Sequence, residues 1–262
     1  MTRGVNEFTL SQKDIHNFVH NGFVKIENAF SKELVLQCQS IICQKLELDL
    51  GAEGIFAEPV IRIASLAEQS FLDAANSSKL HSAYSQLVGN NWKPLNNFGS
   101  IVVRLPSEKE PVDTGWHVDA SFPGTDPSDY LNWRVNIASK GRALLMLFLF
   151  TDVGLNDAPT RIKVSSHLRV AGFLHEYGRK GLSVLELAKL HGDLPDCQTE
   201  LAIGKAGTVY LCHPFLVHAA QKHQGVRPRI LGQPPLLSKR PFQADIKPIC
   251  SPVEQAIRQG LM

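Results

Sequence analysis

The 262-residue sequence predicts a mainly β fold with flanking helices, arranged as a double-stranded β-helix or jelly-roll barrel. Two observations predict it: many short strand-like segments joined at irregular intervals, and amphipathic helical segments that flank them. With 44% hydrophobic residues, a chain of this length can bury one large core, so we expect a single domain over 1–262. We expect 1–90 to be mostly a helical buttress and 97–240 to form the barrel, with a helical insertion near 168–192.

Helix signals dominate the amino-terminal region. Ser11 and Asp14 approximate a capping box that begins one helix, and Ser31 begins a second, amphipathic one. Residues 70–87 also have helical spacing. Residues 48–66 mix apolar and turn residues without a clear period, so no regular element is predicted there.

The barrel strands are predicted from β-branched and apolar runs. Residues 101–105 are rich in β-branched residues and end at a proline. Turn residues at 139–142 predict a hairpin between 133–137 and the apolar run 143–150, which has the composition of a strand buried on both faces. Further strands are predicted at 201–203, 208–211, 216–218 and 228–231.

The composition of the chain limits the classes of binding partner that we expect. The formal net charge is only +2 and the basic residues form no run, which argues against a nucleic-acid or membrane surface and favours a small-molecule partner. The five cysteines include no C-x-x-C pair, so neither a disulfide framework nor a zinc knuckle is indicated, and a reducing cytoplasm fits them. No signal-peptide core or membrane-length apolar stretch is present in the sequence.

Two clusters carry the chemistry. His117 and Asp119 are one residue apart, and in an extended segment both side chains reach the same face. About a hundred residues later, 212–220 supplies a third ligand, either His213 or His218, since Pro214 breaks the strand and parity cannot decide. Two histidines and one carboxylate on one face of an ion make the facial triad of non-haem Fe(II) oxygenases.

These residues resemble a known family. A His-x-Asp after Gly115-Trp116, a distal histidine reached through an apolar strand, and an arginine eleven residues past it are similar to the phytanoyl-CoA dioxygenase family of Fe(II)/2-oxoglutarate-dependent oxygenases. The likeness extends to 18–24 and to 158–167. Ser165 stands where that family usually has glycine.

The resemblance implies an activity and a set of roles. His117, Asp119 and His218 would bind Fe(II) as the catalytic metal site, and Arg229 would bind the distal carboxylate of the cosubstrate 2-oxoglutarate. The enzyme would convert 2-oxoglutarate and O2 into succinate and CO2 while hydroxylating a small molecule. His213 would then be a structural histidine or a residue supporting the ligands.

Pro228 also helps to decide which arginine, Arg227 or Arg229, is expected to bind 2-oxoglutarate. A proline favours the first residue of a strand, so the ladder is predicted to begin there, with Arg229 inside it and Arg227 in the preceding turn.

Substrate contacts are less defined. Trp116 and Phe122 flank the His-x-Asp motif and Arg104 could meet a carboxylate, so these three are the substrate-binding candidates, although the two aromatic residues also suit a plain core. Taken singly, however, each of four arginines is expected to be a solvated or salt-bridged surface residue: Arg104, Arg134, Arg142 and Arg161. The turn-rich run 123–130 predicts a loop that covers the site.

Two other functional classes use similar residues. A cupin-like metal-dependent isomerase or hydrolase would need the metal ligands but not Arg229, and a non-catalytic binding barrel would need no intact triad. The substrate itself stays open among acyl-CoA thioesters, amino-acid derivatives and natural-product intermediates. His167 is expected to be an ordinary turn residue.

Overall fold

The computed structural model describes residues 8–243 and 251–262. Within these ranges it contains seven α-helices and twelve strands, and every strand pair is antiparallel. The helices are α1 (Gln12–Asn21), α2 (Lys32–Leu46), α3 (Gln69–Ala75), α4 (Ser78–Val88), α5 (Ser166–His175), α6 (Val184–His191) and α7 (Pro252–Gln259). None of these helices has the length and apolar character needed to cross a bilayer.

The strands are short. They are β1 (Phe23–Ile26), β2 (Val60–Leu66), β3 (Gly99–Arg104), β4 (Arg134–Val135), β5 (Leu144–Leu149), β6 (Arg161–Lys163), β7 (Leu182–Ser183), β8 (Thr199–Leu201), β9 (Val209–Cys212), β10 (His218–Ala219), β11 (Arg229–Gly232) and β12 (Pro235–Leu236). A 3-10 helix covers Tyr130–Asn132.

The main sheet has seven strands, in the order β1-β9-β5-β11-β3-β2, with β12 paired to the beginning of β5. A second sheet has the order β10-β6-β8, and β4 and β7 form a third, two-stranded sheet. Since β1 and β2 lie in the region expected to be a helical buttress, that region both covers the main sheet and supplies two of its strands.

Strand β5 separates two apolar layers, as its run of hydrophobic residues predicted. Leu144, Met146 and Phe148 belong to a large core that includes buried residues of the amino-terminal helices. The alternate residues of β5 face a smaller core with Ile162 of β6 and Leu216. The main sheet is therefore buried on both faces, between the helices on one side and the second sheet on the other.

The predicted hairpin between 133–137 and 143–150 is wrong. Strand β4 pairs with β7, where Arg134 Nη2 donates to the carbonyl of Gly181 over 2.6 Å and Asn136 Nδ2 donates to that of Arg179 over 2.9 Å. Strand β5 has no free edge for β4, because β9 pairs on one side and β11 and β12 pair on the other.

In the region 166–191 the chain forms α5, β7 and α6. The expectation for His167 is wrong: it lies in the first turn of α5 and is fully buried. Its ring packs 4.8 Å from that of His213, and a Cβ added at Gly22 would lie 2.6 Å from its Nδ1. Glycine at position 22, with φ 91°, thus lets the end of α1 approach α5 closely.

Candidate metal centre

Two histidines from distant parts of the chain are held side by side by backbone hydrogen bonds. The amide of His117 donates to the carbonyl of His218, and the amide of His218 donates to the carbonyl of His117, each over 3.0 Å. This makes His117 the antiparallel partner of the first residue of β10. The centroids of the two imidazole rings lie 4.4 Å apart.

Asp119 completes a cluster of three donor residues. Its Oδ1 lies 3.6 Å from Nε2 of His117 and 3.6 Å from Nε2 of His218. One ligand atom of each residue lies within 4.8 Å of the other two. The three residues that the sequence singled out therefore meet at one point.

The protonation pattern of this cluster fits a cation. Nδ1 of His117 lies 2.9 Å from the carbonyl of Gly115, and Nδ1 of His218 lies 3.1 Å from that of Leu216. Because a carbonyl only accepts, the neutral form of each imidazole has its proton on Nδ1 and a lone pair on Nε2. Nε2 of His218 is buried and has no hydrogen-bond partner among the described residues. Two lone pairs that face a carboxylate oxygen repel it, and a divalent metal ion would relieve that repulsion.

Arg142 controls the charge of Asp119. Its Nη1 donates to Asp119 Oδ2 over 3.0 Å, and its Nη2 donates to the carbonyl of Ala120 over 2.8 Å. Burial raises the pKa of Asp119, but Arg142 and the protonated forms of the two histidines outweigh burial and hold this pKa well below its usual range. Without a metal, burial lowers the pKa of His117, and the adjacent Asp119 reverses the shift and raises it. The expectation that Arg142 is a surface arginine is wrong, since it is 8% exposed.

His213, the other candidate for the third ligand, lies outside the cluster. It is fully buried, its Nδ1 accepts from the amide of Phe215 over 3.2 Å, and its Nε2 lies 3.3 Å from the carbonyl of Val253. Its ring also packs against Phe18. Both of its nitrogens therefore have protein partners, as for a structural histidine.

Arg229 is the first residue of β11, so the strand begins one residue later than predicted and Pro228 lies just before it. It is 1% exposed, and its Nη2 donates to Thr160 Oγ1 over 3.3 Å. Its buried Nε has no partner within the described part of the chain. Burial and the neighbouring Arg104 lower the pKa of Arg229 to about 9, so the guanidinium is cationic at neutral pH. Arg227 instead lies outside the strand, exposed to solvent, and pairs with Glu53.

Arg104 lies opposite Arg229 on the adjacent strand β3. It is 3% exposed, and its Nη2 donates to Asp113 Oδ2 over 2.8 Å. The same carboxylate oxygen also accepts from Arg62 Nη2 of β2. The segment 48–66 gave no periodic signal because β2 has a register shift between Ile63 and Leu66, which interrupts its alternation.

One cavity of about 910 Å³ connects these groups. Its lining includes the three donor residues, Trp116, Thr160, Asp113 and four arginines: Arg62, Arg104, Arg142 and Arg229. Among the described residues, Phe122 is not part of this lining: its ring lies 4.9 Å from Lys140 Nζ, and its backbone pairs with Arg134. A second cavity, of about 730 Å³, has none of the donor residues in its described lining.

Arg161 packs against Trp116, which lines the cavity. Its guanidinium carbon lies 4.6 Å from the centroid of the indole ring. Its Nη2 donates to the carbonyl of Thr114 over 2.7 Å and to that of Ala220 over 2.8 Å. The expectation of a surface arginine is wrong here too, because Arg161 ties the His117 segment to the His218 segment.

Several solved structures with a similar fold are proteins that bind or depend on 2-oxoglutarate, also called α-ketoglutarate. They include the non-haem α-ketoglutarate-dependent carbocyclase SnoK from nogalamycin biosynthesis, at 18% identity and a TM-score of 0.60 over 85% of this chain and 82% of SnoK. The epimerase SnoN, in complex with Fe3+, α-ketoglutarate and nogalamycin RO, matches at 15% identity and a TM-score of 0.61, covering 84% and 80% of the two chains.

HygX from Streptomyces hygroscopicus, with nickel, 2-oxoglutarate and hygromycin B bound, matches at 16% identity and a TM-score of 0.55, covering 86% and 88% of the two chains. The chain shares the fold of these enzymes. No protein-family model matches the sequence. A search of curated proteins also finds no match.

Proposed function

We propose that the protein is an Fe(II)- and 2-oxoglutarate-dependent dioxygenase that hydroxylates a small molecule and converts 2-oxoglutarate and O2 into succinate and CO2. The convergence of His117, Asp119 and His218 in one cavity with Arg229 carries the proposal. Two histidines and one carboxylate leave coordination positions open for a cosubstrate and oxygen. The SnoN and HygX structures, which contain a metal ion and this cosubstrate, support it.

The ligand residues owe their readiness to bind metal to their neighbours. The carbonyls of Gly115 and Leu216 hold the imidazole protons at Nδ1, which leaves the Nε2 lone pairs free. Arg142 holds Asp119 as an ionised carboxylate with one oxygen turned towards the histidines. When bound, the iron together with the cosubstrate supplies the chemistry of oxygen activation.

Arg229 is the proposed anchor for the cosubstrate. Its planar guanidinium can donate two parallel hydrogen bonds to the distal carboxylate of 2-oxoglutarate. The contact with Thr160 orients that guanidinium, and burial strengthens the interaction by excluding water. Trp116 and Arg104 line the remaining space and are proposed to meet the substrate.

The proposal extends to the rest of the molecule. We place the main and second sheets in one jelly-roll barrel, within a single domain over 1–262, and we propose membership of the phytanoyl-CoA dioxygenase family. We also propose that the protein is cytoplasmic and that its substrate is a small molecule. The two-sided burial of β5 and the long-range pairing of His117 with β10 support the barrel arrangement.

Anaerobic addition of Fe(II) and then 2-oxoglutarate tests the function without a known substrate. We expect a weak visible charge-transfer band and, after oxygen is admitted, slow formation of succinate. The double variant His117→Ala, Asp119→Ala should lose both signals, whereas the exposed control His16→Ala should keep them. Undiminished succinate formation by the double variant would rule the proposal out.

The same titration separates the two alternatives. A metal-dependent isomerase or hydrolase on this barrel would bind Fe(II) but would not respond to 2-oxoglutarate. A non-catalytic barrel would give no signal with Fe(II) or with 2-oxoglutarate.

A further inference from the structure

We infer that the substrate of this proposed oxygenase is amphipathic: Arg104 and Arg62 bind an anionic group, either a carboxylate or a phosphate, and its apolar body lies against α6 and the 3-10 helix. The inference rests on the proposed function, because it assigns the part of the cavity that iron and cosubstrate leave free. Four observations carry it: an incompletely paired buried cation, a shared counter-ion, an excess of positive charge and an exposed apolar wall.

Arg104 is a buried cation with spare hydrogen-bonding capacity. It is 3% exposed and lines the cavity, yet its buried Nη1 has no partner within residues 8–243 and 251–262. Leaving a donor of a buried guanidinium unpaired is costly, since neither water nor protein replaces the lost hydration. An anionic group in the cavity would supply the missing acceptor.

Asp113 cannot neutralise both neighbouring arginines. A single oxygen, Oδ2, accepts from Arg104 and also from Arg62, so one negative charge is divided between two guanidinium groups. The side chain of Arg62 is 54% exposed and lies at the open side of the cavity. It is therefore free to turn towards a ligand while Asp113 keeps its contact with Arg104.

The charge of the whole lining points the same way. Four arginines and two aspartates line the cavity: Arg62, Arg104, Arg142, Arg229, Asp113 and Asp119. Arg142 is paired with Asp119, and Arg229 is the proposed partner of the cosubstrate. The positive charge that remains unassigned lies at Arg62 and Arg104, where an anionic substrate group would be attracted.

Part of the lining is apolar and open to solvent. Four large hydrophobic residues of the lining are between 45% and 104% exposed: Val112, which precedes Asp113, Tyr130 and Leu131 of the 3-10 helix, and Leu185 of α6. Val184 and Ala188 of α6 extend the same surface. An exposed apolar surface beside a cavity marks a ligand-binding groove, and burial against a substrate would remove it from water.

The arrangement assigns different anions to the two opposed arginines. Arg229 is turned towards Thr160, whereas Arg104 is turned towards Asp113 and Arg62. A competing arrangement, in which Arg104 and Arg229 share the distal carboxylate of the cosubstrate, predicts that loss of either arginine weakens 2-oxoglutarate binding. Substrate binding by Arg104 predicts that only loss of Arg229 does so.

A pair of fluorescent probes that differ only in charge tests the inference. 8-Anilinonaphthalene-1-sulfonate has an apolar body and one anionic group, and N-phenyl-1-naphthylamine has the same body without the sulfonate. Both are titrated into the protein loaded with Fe(II) and 2-oxoglutarate under anaerobic conditions. We expect saturable binding of the anionic probe that is at least about 10-fold tighter than that of the neutral one. Competition by decanoate, decyl phosphate and decanol then distinguishes a carboxylate from a phosphate.

Three variants localise the effect. Arg104→Gln and the more exposed Arg62→Gln should each weaken the anionic probe about 10-fold or more and leave the neutral probe and 2-oxoglutarate unchanged. Arg227→Gln, outside the cavity, is the matched control and should change nothing. Equal binding of the two probes, no saturable binding of the anionic probe, or no effect of Arg62→Gln would overturn the inference. A loss of 2-oxoglutarate affinity in Arg104→Gln would assign Arg104 to the cosubstrate instead.

The proposed function fails separately from this inference. If the wild-type protein does not bind 2-oxoglutarate in the presence of Fe(II), the oxygenase proposal is wrong. If the wild-type protein binds Fe(II) and 2-oxoglutarate but does not prefer the anionic probe, only the inferred substrate class is wrong.

Discussion

Arg142 contacts Asp119 and is not itself a proposed metal ligand. A substitution of Arg142 therefore measures how much a neighbour of a ligand contributes to metal affinity. Arg142→Gln removes the charge that holds Asp119 Oδ2 and leaves the three donor residues in place. Partners of this kind typically contribute about 10- to 100-fold in metal affinity, so we expect Fe(II) binding to weaken by that factor. Anaerobic equilibrium titration with Fe(II) measures it.

The control for this prediction is Arg169→Gln, which removes a surface ion pair with Asp196 and should leave Fe(II) affinity unchanged. Equal affinity in the Arg142 variant and the wild type would mean that Asp119 is held in place by other contacts.

Arg229 and Arg227 are two positions apart in sequence, but Arg229 is buried and Arg227 is exposed. Substitution of Arg227 is therefore a matched control for substitution of Arg229. Arg229→Ala should cost about 2–4 kcal/mol, or roughly 30- to 1,000-fold in 2-oxoglutarate affinity, because a buried charge-assisted contact is lost. Arg227→Ala removes an exposed pair with Glu53 and should cost under about 1 kcal/mol. Titration of 2-oxoglutarate with Fe(II) present measures both variants, and a larger loss in the Arg227 variant would contradict the assignment.

The loop that follows Asp119 is the element we expect to respond to ligands. Residues 123–130 lead into the 3-10 helix, whose Tyr130 and Leu131 line the cavity. Filling the cavity should order this segment and keep water from the reaction. Cleavage by the endoproteinase Asp-N before Asp126 and Asp129 should therefore slow when Fe(II), 2-oxoglutarate and 8-anilinonaphthalene-1-sulfonate are added.

Cleavage before the exposed Asp196, far along the chain, is the internal control and should keep its rate. Slowing at both sites would indicate general inhibition of the protease, and no slowing at Asp126 and Asp129 would contradict a covering loop.

Elements were predictable where one local rule decided them. β5 follows from an apolar run buried on both faces, and β11 begins where Pro228 allows a ladder to begin. The pairing of β4 with β7 depends on backbone carbonyls more than forty residues away, including that of Gly181, which no local pattern encodes. β2 escaped detection because Ser65, at φ 57°, lies at the interruption of its alternation.

The same distinction applies to the candidate site. His117 and Asp119 were proposed as metal ligands from their spacing, whereas His218 was preferred to His213 only through the family resemblance, because Pro214 prevents a decision from spacing. Arg142 and Asp113 could not be found in this way, because each acts through a contact with one distant side chain and belongs to no motif. The ring of Phe122 lies near Lys140 and outside the cavity lining, because proximity in sequence to Asp119 does not determine the direction of a side chain.

The molecule as a whole should lose stability in mild acid through its buried histidines. Burial lowers the pKa of His167 to about 4, and that of His213, beside it, falls well below its ordinary value. Since the folded state resists protonation that the unfolded chain accepts, their contribution is fully present above about pH 6.5 and is lost as the pH falls towards 4. For His167 alone the loss reaches about 3 kcal/mol.

Urea unfolding of the metal-free protein at pH 7 and pH 4.5 measures this loss. The variant His167→Gln keeps a donor for the carbonyl of Val19 but cannot be protonated, so its unfolding free energy should change less between the two pH values. The same change in variant and wild type would show that other groups cause the acid sensitivity.

The alternation of β5 has a consequence for how such a protein can diverge. Because the amino-terminal helices pack on one face of the main sheet and the cavity lies towards the other, a substitution on one face leaves the other largely undisturbed. Leu131, Val184 and Leu185 lie on the cavity wall outside the main sheet, in the 3-10 helix and α6. New ligand preferences can therefore arise in these short segments while the framework keeps its stability and the reactive centre keeps its geometry, which makes them the natural positions for retargeting by mutation.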